Sequence, residues 1–437
     1  MTFIDLQNLD LQNPYLQGRP LQGRIKPFAV QAVKPETPPM RKYLAVLTTI
    51  VSLLVFLVAC SKNDSTSENA TTPTYPAVTA AFGTNIDLNN LVNYAGQAVP
   101  GYITKDNARI PVNNAKATLG RVLFYDKALS IDNSVSCGSC HKQKFAFSDT
   151  SLTSKGVEKG VTARHSMRLA YSRFANEPKF FWDERAATLE IQTTMPIQDH
   201  AEMGFSGKDG RPGLSTLLTK LQNIDYYKEL FKFVYGDQTV TEARLQESMA
   251  HFIRSIFSFD SKYDLGRSQV PNDQQPFPNF TQQENQGKQL WLTPPQFDAQ
   301  GVRIGGGLGC NACHNAPEFD IDPNTRNNGI IGTINSNALD INVTRAPSLR
   351  DAVRKDGSLN GPLMHTGVIQ SLQAAIGHYG QINLAPGNTN LDPRLRPNGF
   401  GQQLRLNATE VNAVIAFLGT LASTNVYEDT RWKDPFK

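Results

Sequence analysis

The 437-residue sequence predicts an all-α fold of two domains. The length exceeds what a single hydrophobic core usually organises. Helical periodicity marks three segments, and no convincing run of strand alternation competes with it. A Pro/Gln-rich linker, Pro271 to Asn279, separates the first of these segments from the other two. It is the expected boundary between a domain over 81–270 and a second over 280–437.

The first segment follows Thr241-Glu242 and places Leu245, Met249, Phe252, Ile253 and Ile256 on one helix face. Thr281 with Glu284 has capping-box spacing and opens a helix through Leu290. Asn407 with Glu410 starts a third, with Val411, Val414, Ile415 and Leu418 as its buried stripe. Short helices and long loops are the expected texture elsewhere.

The N-terminus reads as an export signal. Arg41 and Lys42 precede an apolar run from Tyr43 to Ala59, slightly short for a spanning helix. Leu57-Val-Ala-Cys60 resembles a lipobox, in which Cys60 becomes the lipidated first residue. Residues 1–39 then form an upstream, non-native extension, 40–59 a lipoprotein signal peptide, and 60–80 a polar, flexible tether. The expected product is an exported bacterial lipoprotein, periplasmic or in the cell envelope, tethered to the membrane through Cys60. The alternative is a membrane anchor with an incidental cysteine. A net charge of +4 without long basic runs points away from nucleic acid.

The chain has five cysteines, and Cys60 accounts for one. The others form Cys137-Gly-Ser-Cys140-His141 and Cys310-Asn-Ala-Cys313-His314. A lone C-x-x-C fits a dithiol pair or half a zinc site, but a following His points to c-type haem attachment. Two thiols add to the haem vinyl groups and the next residue coordinates the iron. Each domain is therefore expected to carry one covalent haem, ligated by His141 or His314.

The surroundings of these motifs resemble a known family. Val122-Leu-Phe-Tyr-Asp-Lys-Ala-Leu-Ser130, the first haem motif and Phe145-Ala-Phe-Ser-Asp149 are similar to the N-terminal haem domain of bacterial di-haem cytochrome c peroxidases. So are Phe181-Trp-Asp-Glu-Arg-Ala-Ala-Thr-Leu-Glu190, the stretch from Pro196 to Glu202-Met-Gly204, and Phe257-Ser-Phe-Asp-Ser-Lys-Tyr-Asp264. The resemblance spans roughly Asn113 to Leu421. It implies two cytochrome c-like domains with their haems bridged near the domain interface, and Trp182 relaying electrons between them. It implies that Gln192 and Glu202 face the His141 haem, Glu202 as general acid–base, with Pro196 shaping the pocket. The alternative is that Glu202 is a solvated loop carboxylate.

Fourteen residues beyond His365-Thr-Gly367, where ordinary family members place Met as distal ligand, stands Tyr379. In this the chain resembles the branch typified by the methylamine-utilisation protein MauG. Tyr379 as ligand would favour ferric and higher-valent iron. The alternative is that Tyr379 is a helix-face aromatic and His378, or no residue, ligates iron. The loop Ser151 to Gly160 has no His to close the first iron, which is expected to be open already in the oxidised protein. His165 is expected to be structural, His200 and His251 surface or packing residues, and His365 a neighbour of the second haem. The family's calcium positions fall on His165 and Asn360, with Pro362 retained; imidazole does not suit calcium, which weighs against that ion.

Three functions follow. The first is reduction of hydrogen peroxide to water with electrons from a small donor such as a cytochrome c or cupredoxin. The second is a MauG-like oxidase using peroxide-derived high-valent iron on a protein or organic partner. The third is a membrane-tethered electron-transfer cytochrome without catalysis.

Overall fold

The computed structural model describes residues 73–106, 110–334 and 336–436. The extension, signal peptide and Cys60 lie outside them. Among the described residues no helix is long and apolar enough to cross a membrane.

The helices are α1 (Pro76–Phe82), α2 (Asn114–Tyr125), α3 (Cys137–Cys140), α4 (Leu189–Gln198), α5 (Leu214–Gln222) and α6 (Asp225–Tyr235), then α7 (Glu242–Arg254), α8 (Lys262–Arg267), α9 (Gln282–Leu292), α10 (Leu372–Gly380) and α11 (Ala408–Gly419). The predominance of helix agrees with expectation, but the all-α class needs a correction. Three two-stranded antiparallel ladders pair β1 (Pro295–Phe297) with β2 (Arg303–Gly306), β3 (His314–Asn315) with β4 (Asp320–Ile321), and β5 (Gly332–Thr333) with β6 (Ser336–Leu339). Strands of two to four residues are too short to show an alternating pattern.

The three helices expected from periodicity form where their caps place them. Thr241 caps α7 by accepting from Arg244 N at 3.3 Å. Thr281 and Glu284 close a reciprocal capping box on α9, and Asn407 and Glu410 do so on α11. Helix α9 runs to Leu292, two residues past expectation, and ends where Thr293 N donates to Gln289 O at 3.0 Å. Residues 76–80, read from sequence as the end of a tether, lie in α1. Val78 and Phe82 are buried there, and the carboxylate of Glu229 accepts from Ala77 N and Val78 N at 3.2 and 2.9 Å.

Two helix crossings organise the packing: α2 against α7, and α9 against α11. Helix α7 is apolar on two sides. Leu245 and Met249 join Leu119, Val122 and Leu123, while Phe252 and Ile253 join Phe124 and Phe147. Trp291 of α9 and Phe417 of α11 build a separate core with Phe277 and Phe319. The C-terminal tail returns to the first part of the chain. Trp432 is fully buried there, Tyr125 Oη donates to its carbonyl at 2.6 Å, and Arg121 Nε donates to Lys433 O at 2.6 Å.

Both crossings depend on a glycine. A Cβ on Gly120 would lie 2.0 Å from Ser248 O, and one on Gly287 would lie 1.9 Å from Ala413 O. Alanine is ordinarily the better helix former by about 1 kcal/mol, but here it would push two backbones apart. Gly120→Ala and Gly287→Ala are each expected to lower stability by about 1–3 kcal/mol, as overpacking does. Thermal unfolding checks this: a raised Tm in either variant would contradict the close approach.

Candidate haem and peroxide site

Each C-x-x-C-H motif is presented by one short turn. Ser136 and Ser139 form a capping box on α3, with Ser136 N donating to Ser139 Oγ at 3.0 Å. The chain then leaves the helix at His141, whose N–H still reaches Cys137 O at 2.8 Å. Both thiols and the imidazole thus border one cavity. The Nδ1 of His141 lies 3.2 Å from Phe147 O. Donation from Nδ1 to that carbonyl leaves Nε2 with a free lone pair, the arrangement a metal-ligating imidazole needs. Burial lowers the His141 pKa to about 4, so the ring is neutral.

The second motif follows Gly309, whose φ of 69° sets up the tight turn Cys310–Ala312. His314 is held in β3 opposite Ile321 and beside the Trp291 ring. Burial brings it too to about 4, and its buried Nδ1 has no protein partner among the described residues. An unpartnered buried nitrogen is costly unless something in the cavity meets it.

The four cysteines are free thiols. Burial pushes Cys137 and Cys310 up to about 12, and Cys140 and Cys313 up to about 11. A site built for zinc favours the thiolate; this one favours neutral sulfur, as in a thioether to a haem. No group of three or more His, Cys, Asp or Glu is placed to hold a metal ion among the described residues. The donor set therefore fits two covalent haems.

Two cavities flank Trp182. One, of about 190 Å³, is bordered by the first motif together with Gln192, Pro196 and Glu202. The other, of about 530 Å³, is bordered by the second motif with Asn328, Met364 and Tyr379. Trp182 borders both. Its carbonyl accepts from Thr344 N and Arg345 N at 2.9 and 3.1 Å, and its indole donates to His165 O at 2.8 Å. The His165 ring turns to Ser151 O at 2.9 Å while its N–H reaches His365 O at 2.7 Å. The imidazole of His365 packs edge-on to the Trp182 indole, 6.3 Å between centroids.

Helix α4 carries Gln192 and Pro196 one turn apart. Pro196 has no N–H to offer the Gln192 carbonyl, which opens the helix at the cavity. Asp199 then fixes the following turn, accepting from Ala201 N and Glu202 N at 2.8 and 3.0 Å. Glu202 O accepts from Val157 N at 3.1 Å, and Gly156 lies against Ala201 so closely that a Cβ would sit 1.8 Å from its carbonyl. Burial, aided by the Asp199 charge and opposed by Arg185, raises the Glu202 carboxyl to about 7. Sequence reasoning missed Asp199 and Arg185; the acidic residue three positions ahead of Glu202 was the available signal.

In the larger cavity Asn328 Nδ2 donates to Tyr379 Oη at 2.9 Å and lies 3.3 Å from Met364 Sδ. Burial pushes Tyr379 up to about 12, with the Asn328 bond opposing it. His378 instead turns its Nε2 to Asn328 O at 2.9 Å and does not border the cavity. Asn328 and Met364 were not identified from sequence, although Met364 adjoins the His365 motif. Away from the cavities, His251 is buried and His200 meets Ser206 Oγ at 3.0 Å. The Asn360 amide donates to Asp351 O and Tyr427 Oη, both at 2.8 Å, and accepts from Arg354 Nε at 3.1 Å.

A family model described as di-haem cytochrome c peroxidase matches residues 114–269. That span holds the first haem motif, Trp182, Gln192, Pro196 and Glu202. The methylamine utilization protein MauG of Methylophilus methylotrophus is 27% identical over 318 residues, covering 71% of this chain and 83% of the relative. Cytochrome c551 peroxidase of Nitrosomonas europaea is 26% identical over 329 residues, covering 71% and 81%. Among solved structures, a MauG-like protein associated with microbial copper homeostasis aligns with a TM-score of 0.59 at 24% identity, over 78% of this chain and 99% of that one. The diheme peroxidase BthA from Burkholderia thailandensis aligns with a TM-score of 0.53 at 21% identity, over 77% and 94%. At these identities the structural likeness bears on the fold.

Replacing Cys310 and Cys313 together by alanine is expected to halve the covalent haem per chain and leave the His141 haem in place. Haem staining after denaturing electrophoresis, with intact mass, checks it; an unchanged haem mass would contradict the assignment.

Proposed function

We propose that this chain, similar to di-haem cytochrome c peroxidases, is an oxidoreductase that reduces hydrogen peroxide to water in the His141 cavity. Electrons would come singly from a small redox protein, such as a cytochrome c or cupredoxin, through the His314 cavity. The observation that carries this reading is the unequal furnishing of the two cavities. Glu202 and Gln192 border the first, and Tyr379 borders the second.

Each haem, when bound, supplies a one-electron couple. The chain's own residues supply positioning and proton transfer. Reduction consumes one peroxide, two electrons and two protons and yields two waters. Breaking the O–O bond requires a proton to leave the inner oxygen and reach the outer one. A carboxyl held at about 7 is present in both forms near neutrality, so Glu202 can take that proton and return it. The Gln192 amide would orient the oxygen by hydrogen bonding, and Pro196 opens the wall beside it. Trp182, common to both cavities, would relay electrons between them.

Tyr379 favours a second reading, in which the oxidising equivalents are used on a protein or organic partner, as the MauG resemblance suggests. Persistence of an oxidised state in the absence of donor, ended by adding such a partner, would distinguish it. The domain boundaries at 81–270 and 280–437, and tethering of an exported lipoprotein through Cys60, belong to the same proposal.

Glu202→Gln is expected to lower kcat/KM for peroxide by about 10²–10⁴-fold, the usual contribution of a positioned acid–base group, with both haems retained. An unchanged rate sinks the assignment. In the unsubstituted protein, the unprotonated carboxyl is the form that accepts the first proton. Activity should therefore rise with pH through about 7 and then level off, and this inflection should vanish in Glu202→Gln. A steady-state pH profile with saturating donor reads it.

A further inference from the structure

Between the two cavities lies a buried cluster of charges that the peroxide chemistry does not use. Arg168 and Arg345 border both cavities, and they are only 8% and 4% exposed. Arg168 donates through Nη2 to Ser348 O, but its buried Nε has no partner among the described residues. Arg345 donates through Nη1 to Glu177 O at 3.2 Å and stacks over the Phe180 ring. The nearest carboxylate oxygen to Arg345, Asp320 Oδ1, is 3.8 Å from Nη2. Asp320 is 2% exposed, and its Oδ2 is likewise unpartnered.

Arg345 therefore has one loosely placed carboxylate, that of Asp320, while Arg168, on which the Asp351 charge acts, keeps a buried Nε without a partner among the described residues. Burial also favours the protonated form of Asp320, at about 6, which weakens its value as a counter-charge. Buried charges persist when they are paired and their donors are met. The planar fork of arginine is suited to a carboxylate.

We propose that Arg168 and Arg345 form a shared carboxylate clamp, open to both cavities, that takes an acidic side chain of each haem and so couples the two cofactors electrostatically. The proposal rests on the reading that both cavities hold haem. It assigns the arginines a positioning and charge-balancing role, distinct from proton transfer at Glu202. A cation between two irons disfavours the more positive, oxidised state of each. Its removal should lower both reduction potentials, whereas a cation bordering one cavity should act on one. Arg185, which borders only the His141 cavity and is paired with Asp183 at 2.7 Å, provides the comparison.

Potentiometric titration of the purified holoprotein without peroxide tests this, with haem per chain measured by intact mass. In Arg168→Gln carrying both haems, both midpoint potentials are expected to fall. In Arg185→Gln only one should move. If both haems are present in Arg168→Gln and only one potential, or neither, changes, the clamp is overturned while the di-haem reading stands. If the unsubstituted protein carries fewer than two haems, the di-haem reading fails and the clamp with it. Should Arg168→Gln not assemble, a crystal structure of the unsubstituted holoprotein decides. Haem carboxylates on Arg168 and Arg345 support the clamp; water or a buffer anion there overturns it.

Discussion

Satisfying the polar atoms of Trp182 is the constraint on which the rest of the site depends. The residue is buried, and its carbonyl and indole N–H are met by protein groups from distant parts of the chain. The carbonyl takes Thr344 and Arg345, and the indole gives to His165, whose own N–H goes to His365. Breaking any of these leaves a buried donor or acceptor without a partner, at a cost of about 1–3 kcal/mol. The segments around 165, 182, 345 and 365 are consequently locked together. The indole so held forms part of both cavity walls.

The same exclusion of water sets the protonation of the groups around it. His141 and His314 are neutral, the four motif thiols are neutral, and Tyr379 keeps its proton. Glu202 is the exception in consequence, since its rise stops near 7 and both forms remain accessible. Arginine responds differently, because its charge survives burial at almost any site.

The parts of this architecture legible in the sequence are those encoded locally. Thr281 with Glu284 and Asn407 with Glu410 announce their helices because cap and partner lie within one turn. The Cys and His of each haem motif are likewise neighbours along the chain. Trp182, Gln192, Pro196 and Glu202 were reached through a resemblance, and the fold brings three of them to the His141 motif and the indole to both cavities. What could not be read was assembled across the chain. Asn328 meets Tyr379 across 51 residues and Arg345 meets Glu177 across 168. The tail at Trp432 returns to Tyr125 across 307. No periodicity or spacing rule carries pairings at such separations. The short ladders escaped notice for the opposite reason, being too brief to establish a pattern.

Tyr379 shows why the two cavities differ in more than their lining. In the protein alone its phenol is a poor anion: burial raises it to about 12 and no cationic side chain is among the groups that lower it. The Asn328 amide offers one hydrogen bond, which favours the phenolate without being able to create it near neutrality. Only a positive centre within the cavity can do so, and the neutral His314 opposite contributes none. The phenol is thus a group whose charge depends on what the cavity holds. Glu202, by contrast, is poised to exchange a proton from its protein surroundings alone. One cavity therefore holds a carboxyl that the fold sets near neutrality, and the other a phenol whose charge depends on what the cavity holds, an inequality the two C-x-x-C-H motifs do not reveal.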